Sequence, residues 1–251
     1  MIKRQLWNFV PFLISFLIII AKTPKRNIKI APSDRLMKLS QLPLPDFFRD
    51  YYLKFPNLTP IQEKAVKAGL LERKSQLICA PTASGKTLIA TMAIVNTINQ
   101  GKAIYLVPLK ALANEKLKEY QQLFSNTNYN IAKAVGEVDS DSEYLAKYNL
   151  LILTTEKLDS LLRHRIKWLQ EVKTVIIDEI HLLNDPSRGP TLEIIITLIK
   201  MLIKPQIIGL SATIGNPKEL ADWLEAELVM DSWRPVELKK GICCQNKVEF
   251  Y

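Results

Sequence analysis

A chain of 251 residues, 48% apolar and 24% charged, has the composition of an ordinary globular protein, not a disordered one, and suffices for one sizeable α/β domain or two small ones. Cys79, Cys243 and Cys244, with only His164 and His181 beside them, supply neither a disulfide framework nor zinc-ligand spacing, which points to a reducing compartment and an expected cytoplasmic location. The net charge of +9 does not by itself mark a nucleic-acid binder, because residues 1–36 hold seven Lys/Arg against Asp34 alone and leave 27 basic and 24 acidic side chains for the rest.

The first element is the apolar run "LWNFVPFLISFLIIIA", Leu6 to Ala21, flanked by Lys3-Arg4 and by Lys22, Lys25 and Arg26. Three readings stay open: a membrane anchor, for which 16 residues interrupted by Asn8 and Pro11 are short; a secretory signal, for which no small-x-small cleavage site follows; and a segment foreign to the natural protein, with Met37 as the true start. A membrane partner is not favoured. From Met37 the sequence predicts one domain over 37–231, preceded by an extension over 1–36. Strands are predicted at 75–80, 102–107, 130–135, 149–154, 173–179 and 206–211, and helices near 86–99, 109–124, 155–163, 190–203 and 216–224. Near-continuous apolar strands alternating with helices imply an α/β fold with a mostly parallel sheet covered by helices on both faces. The last stretch, 232–251, reads as a connection leading onwards.

Two places carry chemistry. "APTASGKT" (Ala80, Pro81, Thr82, Ala83, Ser84, Gly85, Lys86, Thr87) lies between a predicted strand and a predicted helix, where backbone N–H groups and a helix N-terminus can cradle phosphate. Gly85 permits close backbone approach, Lys86 reaches the β/γ-phosphates of ATP, and the Thr87 hydroxyl is suited to Mg²⁺. Ala80 departs from the general pattern, which places Gly there. Further on, "VIIDEIH" (175–181) is an apolar strand ending in two carboxylates, at the end of an open sheet where ligands bind. Asp178 is suited to hold Mg²⁺ through its water shell, and Glu179 to accept a proton from an attacking water. Together the two places point to an ATPase with ATP and Mg²⁺ as cofactors. Pro108, Lys110 and Lys116 read, by themselves, as a strand-to-helix turn followed by a solvated helix face. Trp168, Trp223 and Trp233 read as core or interface residues.

In these residues the sequence resembles the superfamily-two helicases, and within them the Ski-like branch that takes in archaeal repair helicases and the helicase part of polymerase theta. The resemblance runs from about Met37 to Leu238 and rests on ordered motifs: "NLTPIQEKAV", "APTASGKT", "VPLKALANEK", "TTEKLDSLLRH", "DEIH" followed by "LNDPSRGPTLE", and "SATIGNPKELADWL". It implies a RecA-like P-loop domain in which Ala80 is ordinary, Gln62 contacts the adenine base, and Pro108, Lys110, Thr154 and Thr155 contact a nucleic-acid backbone, DNA being favoured. It makes His181 a coupling residue expected to hydrogen-bond toward Ser211, Ala212 and Thr213. It implies single-stranded or forked nucleic acid as partner, and a second RecA-like domain that supplies an arginine finger. No Gln-x-x-Gly-Arg-x-Gly-Arg box occurs in the 251 residues, so the expectation is the first motor domain of an ATP-dependent helicase, weak or inactive alone.

Overall fold

The order of burial along the chain dictates the layers. The computed structural model describes residues 36–136, 142–212, 214–235, 241–244 and 247–250; the apolar run of the first 36 residues and Thr213 lie outside them. The strands β1 (Gln76–Cys79), β2 (Lys102–Val107), β4 (Leu150–Thr154) and β6 (Gln206–Ser211) are buried at every position, while β5 (Val172–Ile177) is buried at all but Lys173. Strands covered on both faces must be apolar throughout, which is why they read as continuous runs. Short β3 (Ile131–Ala134) and β7 (Glu227–Met230) form the edges and are only partly covered. All seven pair in parallel, in the order β3-β4-β2-β5-β6-β1-β7.

Successive side chains on a strand point to opposite faces, and the core divides accordingly. Ile78, Tyr105, Val107, Ile152, Ile176 and Ile208 face one layer, built by α1 (Asp46–Tyr51), α2 (Pro60–Lys67), α3 (Lys86–Thr97) and α4 (Lys110–Leu123). Leu77, Ile104, Leu106, Leu151, Leu153, Val175 and Ile177 face the other, built by α5 (Thr155–Arg163), α6 (Gly189–Leu202) and α7 (Pro217–Leu224). This is a RecA-like α/β domain with helices on both faces. Among the described residues, no helix is long and apolar enough to cross a membrane.

Near the amino ends of the strands a buried polar chain ties the loop after α2 to the sheet. Thr97 Oγ1 meets Thr174 Oγ1 at 2.8 Å, Thr174 Oγ1 donates to Gln206 Oε1 at 3.3 Å, and Gln206 Nε2 donates to the carbonyls of Leu70 (2.9 Å) and Lys74 (3.0 Å). Each buried polar atom here has a partner, as burial demands.

Three features differ from the sequence reading. Helices α1 and α2 and the edge strand β7 were not among the expected elements. Lys116 is not on a solvated face: it is 7% exposed, paired with Glu119 at 2.8 Å, its ammonium 5.7 Å from the Tyr105 ring centre. Beyond residue 231 the expected connection contains a hairpin, β8 (Gly241–Cys244) antiparallel to β9 (Lys247–Phe250). The chain divides into a compact unit Ser33–Trp233 and a second unit that includes Arg234–Tyr251.

Candidate nucleotide and nucleic-acid site

The strand order gathers the candidate residues along one edge. β6 lies between β1 and β5, so the loop Ala80–Thr87, the Ser211 strand end and the Asp178-Glu179 pair leave adjacent strands at their carboxyl ends. β2 and β4 follow on the far side of β5 and deliver Pro108-Lys110 and Thr154-Thr155 to the same edge.

The loop owes its shape to two left-handed residues, Ala83 (φ 65°) and Gly85 (φ 99°), with Gly85 as the N-cap of α3. Alternation of this kind turns successive N–H groups toward one concavity, a backbone nest suited to an anion. Helix α2 fixes it from behind. Thr59 Oγ1 donates to the Ser84 carbonyl (2.9 Å) and Gln62 Nε2 to the Gly85 carbonyl (3.0 Å), while Gln62 Oε1 accepts from Thr59 N (2.8 Å). Because a trans peptide sets N–H opposite C=O, holding these two carbonyls toward α2 aims the N–H groups of Gly85 and Lys86 away from it. A Cβ on Gly85 would sit 2.2 Å from Gln62 Nε2. Gln62 is 4% exposed, and in this structure both ends of its amide engage protein backbone instead of standing open to a base.

Lys86 Nζ donates to the carbonyls of Ala80 (2.5 Å) and Pro81 (3.0 Å), so the ammonium lies across the loop itself. Thr87 is half-buried in the first turn of α3. Ala80 N donates to Ser211 O (3.2 Å), which ties the loop's start to β6. The hydroxyls of Ser84 and Ser211 are buried with no partner among the described residues. Cys79, next to the loop, is buried, which pushes its thiol up to about 11 although Lys86 pulls the other way.

The acid pair follows β5 directly. Asp178 N donates to Leu106 O (3.0 Å) and so extends the β2–β5 ladder by one bond. Its Oδ1 accepts from Glu179 N (3.0 Å) and its Oδ2 from the Tyr105 hydroxyl (3.0 Å). Burial, then the neighbouring Tyr120 and Asp178, hold the Tyr105 phenol well above its ordinary value, so it remains a donor. Glu179 turns into the left-handed region (φ 52°) and starts the 3₁₀ turn Ile180–Asn184. His181 Nδ1 lies 3.2 Å from Glu179 Oε2; at the expected partner strand end, Ala212 is half-buried and Thr213 lies outside the described residues.

At the β2–β4 side, a cleft of about 500 Å³ is lined by Pro108, Lys110, Gly136, Thr154, Glu156 and Arg188. Thr154 Oγ1 is buried there without a partner among the described residues, and Thr155 opens α5. Arg188 is exposed and stands just before α6; its backbone N–H (3.0 Å), like that of Ser187 (2.9 Å), is fixed on Asp185 Oδ1. Bonds from Ser187 and Arg188 hold the Asp185 carboxyl below its ordinary value. Gly189 follows because a Cβ there would lie 2.2 Å from the Leu183 carbonyl oxygen. Arg188, within "PSRGP", and Thr59 and Tyr105 are not among the site residues expected from the sequence. The capping box in "TPIQ", Thr59 with Gln62 three residues on, was a legible sign for Thr59. Nothing local marks Tyr105.

A phosphate loop and an acid pair at the carboxyl ends of two strands that flank a third in a parallel sheet define a P-loop motor fold. Comparison with known families is specific: the DEAD/DEAH box helicase profile matches residues 59–220, and the chain belongs to this family. Among curated relatives, the ATP-dependent DNA helicase Hel308 of Methanocaldococcus jannaschii is 53% identical over 201 residues, 77% of this chain and 17% of that protein. Hel308 of Pyrococcus horikoshii is 49% identical over 216 residues, 84% of this chain and 30% of its own. The chain thus spans less than a third of the length of these relatives. In fold, it matches a crystal structure of the DUF1998 helicase MrfA bound to DNA, with a TM-score of 0.67 at 22% identity over 88% of this chain and 34% of that one.

Proposed function

We propose that residues 37–231 are the first motor domain of an ATP-dependent DNA helicase, binding ATP·Mg²⁺ at the Ala80–Thr87 loop and one nucleic-acid strand beside it. The observation that carries this reading is the shared edge: loop and acid pair on β1 and β5, candidate backbone contacts on β2 and β4. DNA is favoured over RNA because the two curated relatives described above are named DNA helicases.

Each residue's task follows from its geometry. The N–H groups of Gly85 and Lys86 donate to phosphate oxygens, and the Lys86 ammonium exchanges the Ala80 and Pro81 carbonyls for the β/γ-phosphates. The Thr87 hydroxyl and Asp178 carboxylate are hard oxygen donors, and no cluster of three or more His/Cys/Asp/Glu occurs among the described residues. That set fits Mg²⁺, which keeps several waters and uses one or two protein ligands together with phosphates. When bound, the ion neutralises the charge that develops on the phosphates. Glu179 accepts the proton of the attacking water, and His181, facing Glu179, is placed to sense its state. Gln62 holds the loop through Gly85 and is proposed to reach adenine only after releasing one of its backbone partners. Lys110, Thr154, Thr155 and the backbone after Pro108 position nucleic-acid phosphates without reading bases. A second RecA-like domain would supply the arginine finger and close the nucleotide pocket.

The test is hydrolysis by the 251-residue chain, with and without single-stranded DNA. The proposal expects ATP binding with turnover well below the roughly 1 s⁻¹ or more of complete enzymes, falling further on Glu179→Gln. Turnover at the rate of complete helicases, lost on Lys86→Ala, contradicts the need for a second domain. ATP binding with no hydrolysis even when a second motor domain is supplied in trans favours a binding module.

A further inference from the structure

We propose that Tyr105 is a positioning residue that sets the orientation in which Asp178 meets Mg²⁺; this rests on the assignment of Asp178 given above. Tyr105 is fully buried in β2, flanked by Ala103, Ile104, Leu106 and Val107, where a phenylalanine would pack equally well and need no partner. Its hydroxyl nonetheless has one, Asp178 Oδ2 at 3.0 Å. The ring is pinned. Tyr120 packs at 5.7 Å between ring centres and the Lys116 ammonium lies 5.7 Å from the other ring's centre, so the hydroxyl cannot swing aside.

Asp178 is held at three points, two of them on its carboxylate, and only one partner is a side chain. Its backbone N–H is fixed on Leu106 O, its Oδ1 on Glu179 N, and its Oδ2 on Tyr105. A carboxyl torsion is broad and roughly two-fold by nature, so removal of the Tyr105 bond leaves the plane of the carboxylate set by Glu179 alone. Outer partners of this kind orient metal-facing ligands, and their loss typically lowers metal affinity about 10–100-fold. The location adds to the argument. β2 is the strand that continues into Pro108 and Lys110, so one strand holds the carboxylate on β5 and carries the candidate backbone contacts. The neighbouring Tyr120 serves as the contrast: equally buried, it meets Thr91 Oγ1 at 3.2 Å and has no bond to Asp178.

The experiment measures affinity of the 251-residue chain for a methylanthraniloyl-labelled imidodiphosphate analogue of ATP, in EDTA and in excess Mg²⁺. Tyr105→Phe is expected to leave the EDTA affinity within about twofold and to cut the gain from Mg²⁺ by about tenfold. Tyr120→Phe should keep the full gain and Asp178→Asn should lose it. A full Mg²⁺ gain in Tyr105→Phe, with the gain lost in Asp178→Asn, overturns the role of Tyr105 and leaves the metal assignment standing. A full gain in Asp178→Asn overturns the assignment and the inference together. Equal losses in EDTA and Mg²⁺ would mean a purely structural hydroxyl and also overturn it. Should Tyr105→Phe fail to fold, the unmutated chain still decides: its ζ-carbon resonance, assignable through the single Ile–Tyr pair in the sequence, must move when Mg²⁺ is added to the nucleotide complex. An unmoved resonance refutes the proposal.

Discussion

Gly85→Ala tests whether the phosphate loop is shaped from behind by α2. The substitution meets two obstacles. At φ 99° an L side chain is strained, by about 1–2 kcal/mol for a left-handed residue. The new Cβ would also lie 2.2 Å from Gln62 Nε2, so the amide must leave. Its departure breaks the bonds to Gly85 O and from Thr59 N, worth about 0.5–1.5 kcal/mol each. The sum is about 2–5 kcal/mol, and its centre corresponds to a melting point roughly 7–14 °C lower for a domain of this size. Thermal and urea unfolding of four proteins (unmutated, Gly85→Ala, Gln62→Ala and the double variant) gives the coupling. In the Gln62→Ala background Gly85→Ala should cost only the strain, about 1–2 kcal/mol. Costs equal in the two backgrounds to within about 0.5 kcal/mol would refute the reasoning, since independent sites add within that margin.

Other expectations follow from the same contacts. Gln206→Leu strands the buried carbonyl of Leu70 and the part-buried one of Lys74 and should destabilise the domain by about 3 kcal/mol, read from urea midpoints; a change under about 0.5 kcal/mol would contradict the polar chain. Cys79, its thiol near 11, has about one part in a thousand thiolate at pH 8, so iodoacetamide should spare it in the folded chain and modify it in urea, as seen by peptide mass spectrometry. Glu63, Asp185 and Glu225 are held below their ordinary values by Lys67, by Ser187 and by Lys200 respectively. Lowered carboxyl values add stability above the unfolded value that is lost as pH falls through the folded one, so the melting point should hold above about pH 4.5 and decline below it. A melting point that rises on acidification through this range would contradict the pairings.

How legible all this was depended on burial. β1, β2, β4 and β6 are covered on both faces, so each appears in the sequence as an unbroken apolar run flanked by turn residues. β7 was not legible because an edge strand of four residues, only Val229 buried, leaves no pattern to read. Helix α2 carries its own sign, Pro60 at the first turn and a capping box around it, but it is short and mostly polar. The loop and acid pair are local motifs and stood out; their relation did not, because it depends on β6 lying between β1 and β5. Tyr105 shows the limit most clearly. Its partner Asp178 is 73 residues away, and only strand order brings the two together. Lys116 misled for the opposite reason: in a run of charges it looks solvated, yet α4 turns it inward against Tyr105 and Glu119.

The proposed function depends first on ATP binding at the Ala80–Thr87 loop through Lys86. Calorimetric titration of ATP with Mg²⁺ into the 251-residue chain and into Lys86→Ala tests it most directly. Saturable one-site binding is expected of the first and an affinity about 10–100-fold lower of the second, from the loss of charge-assisted bonds to phosphate. Equal affinity in the two proteins, or no binding by either, would contradict it.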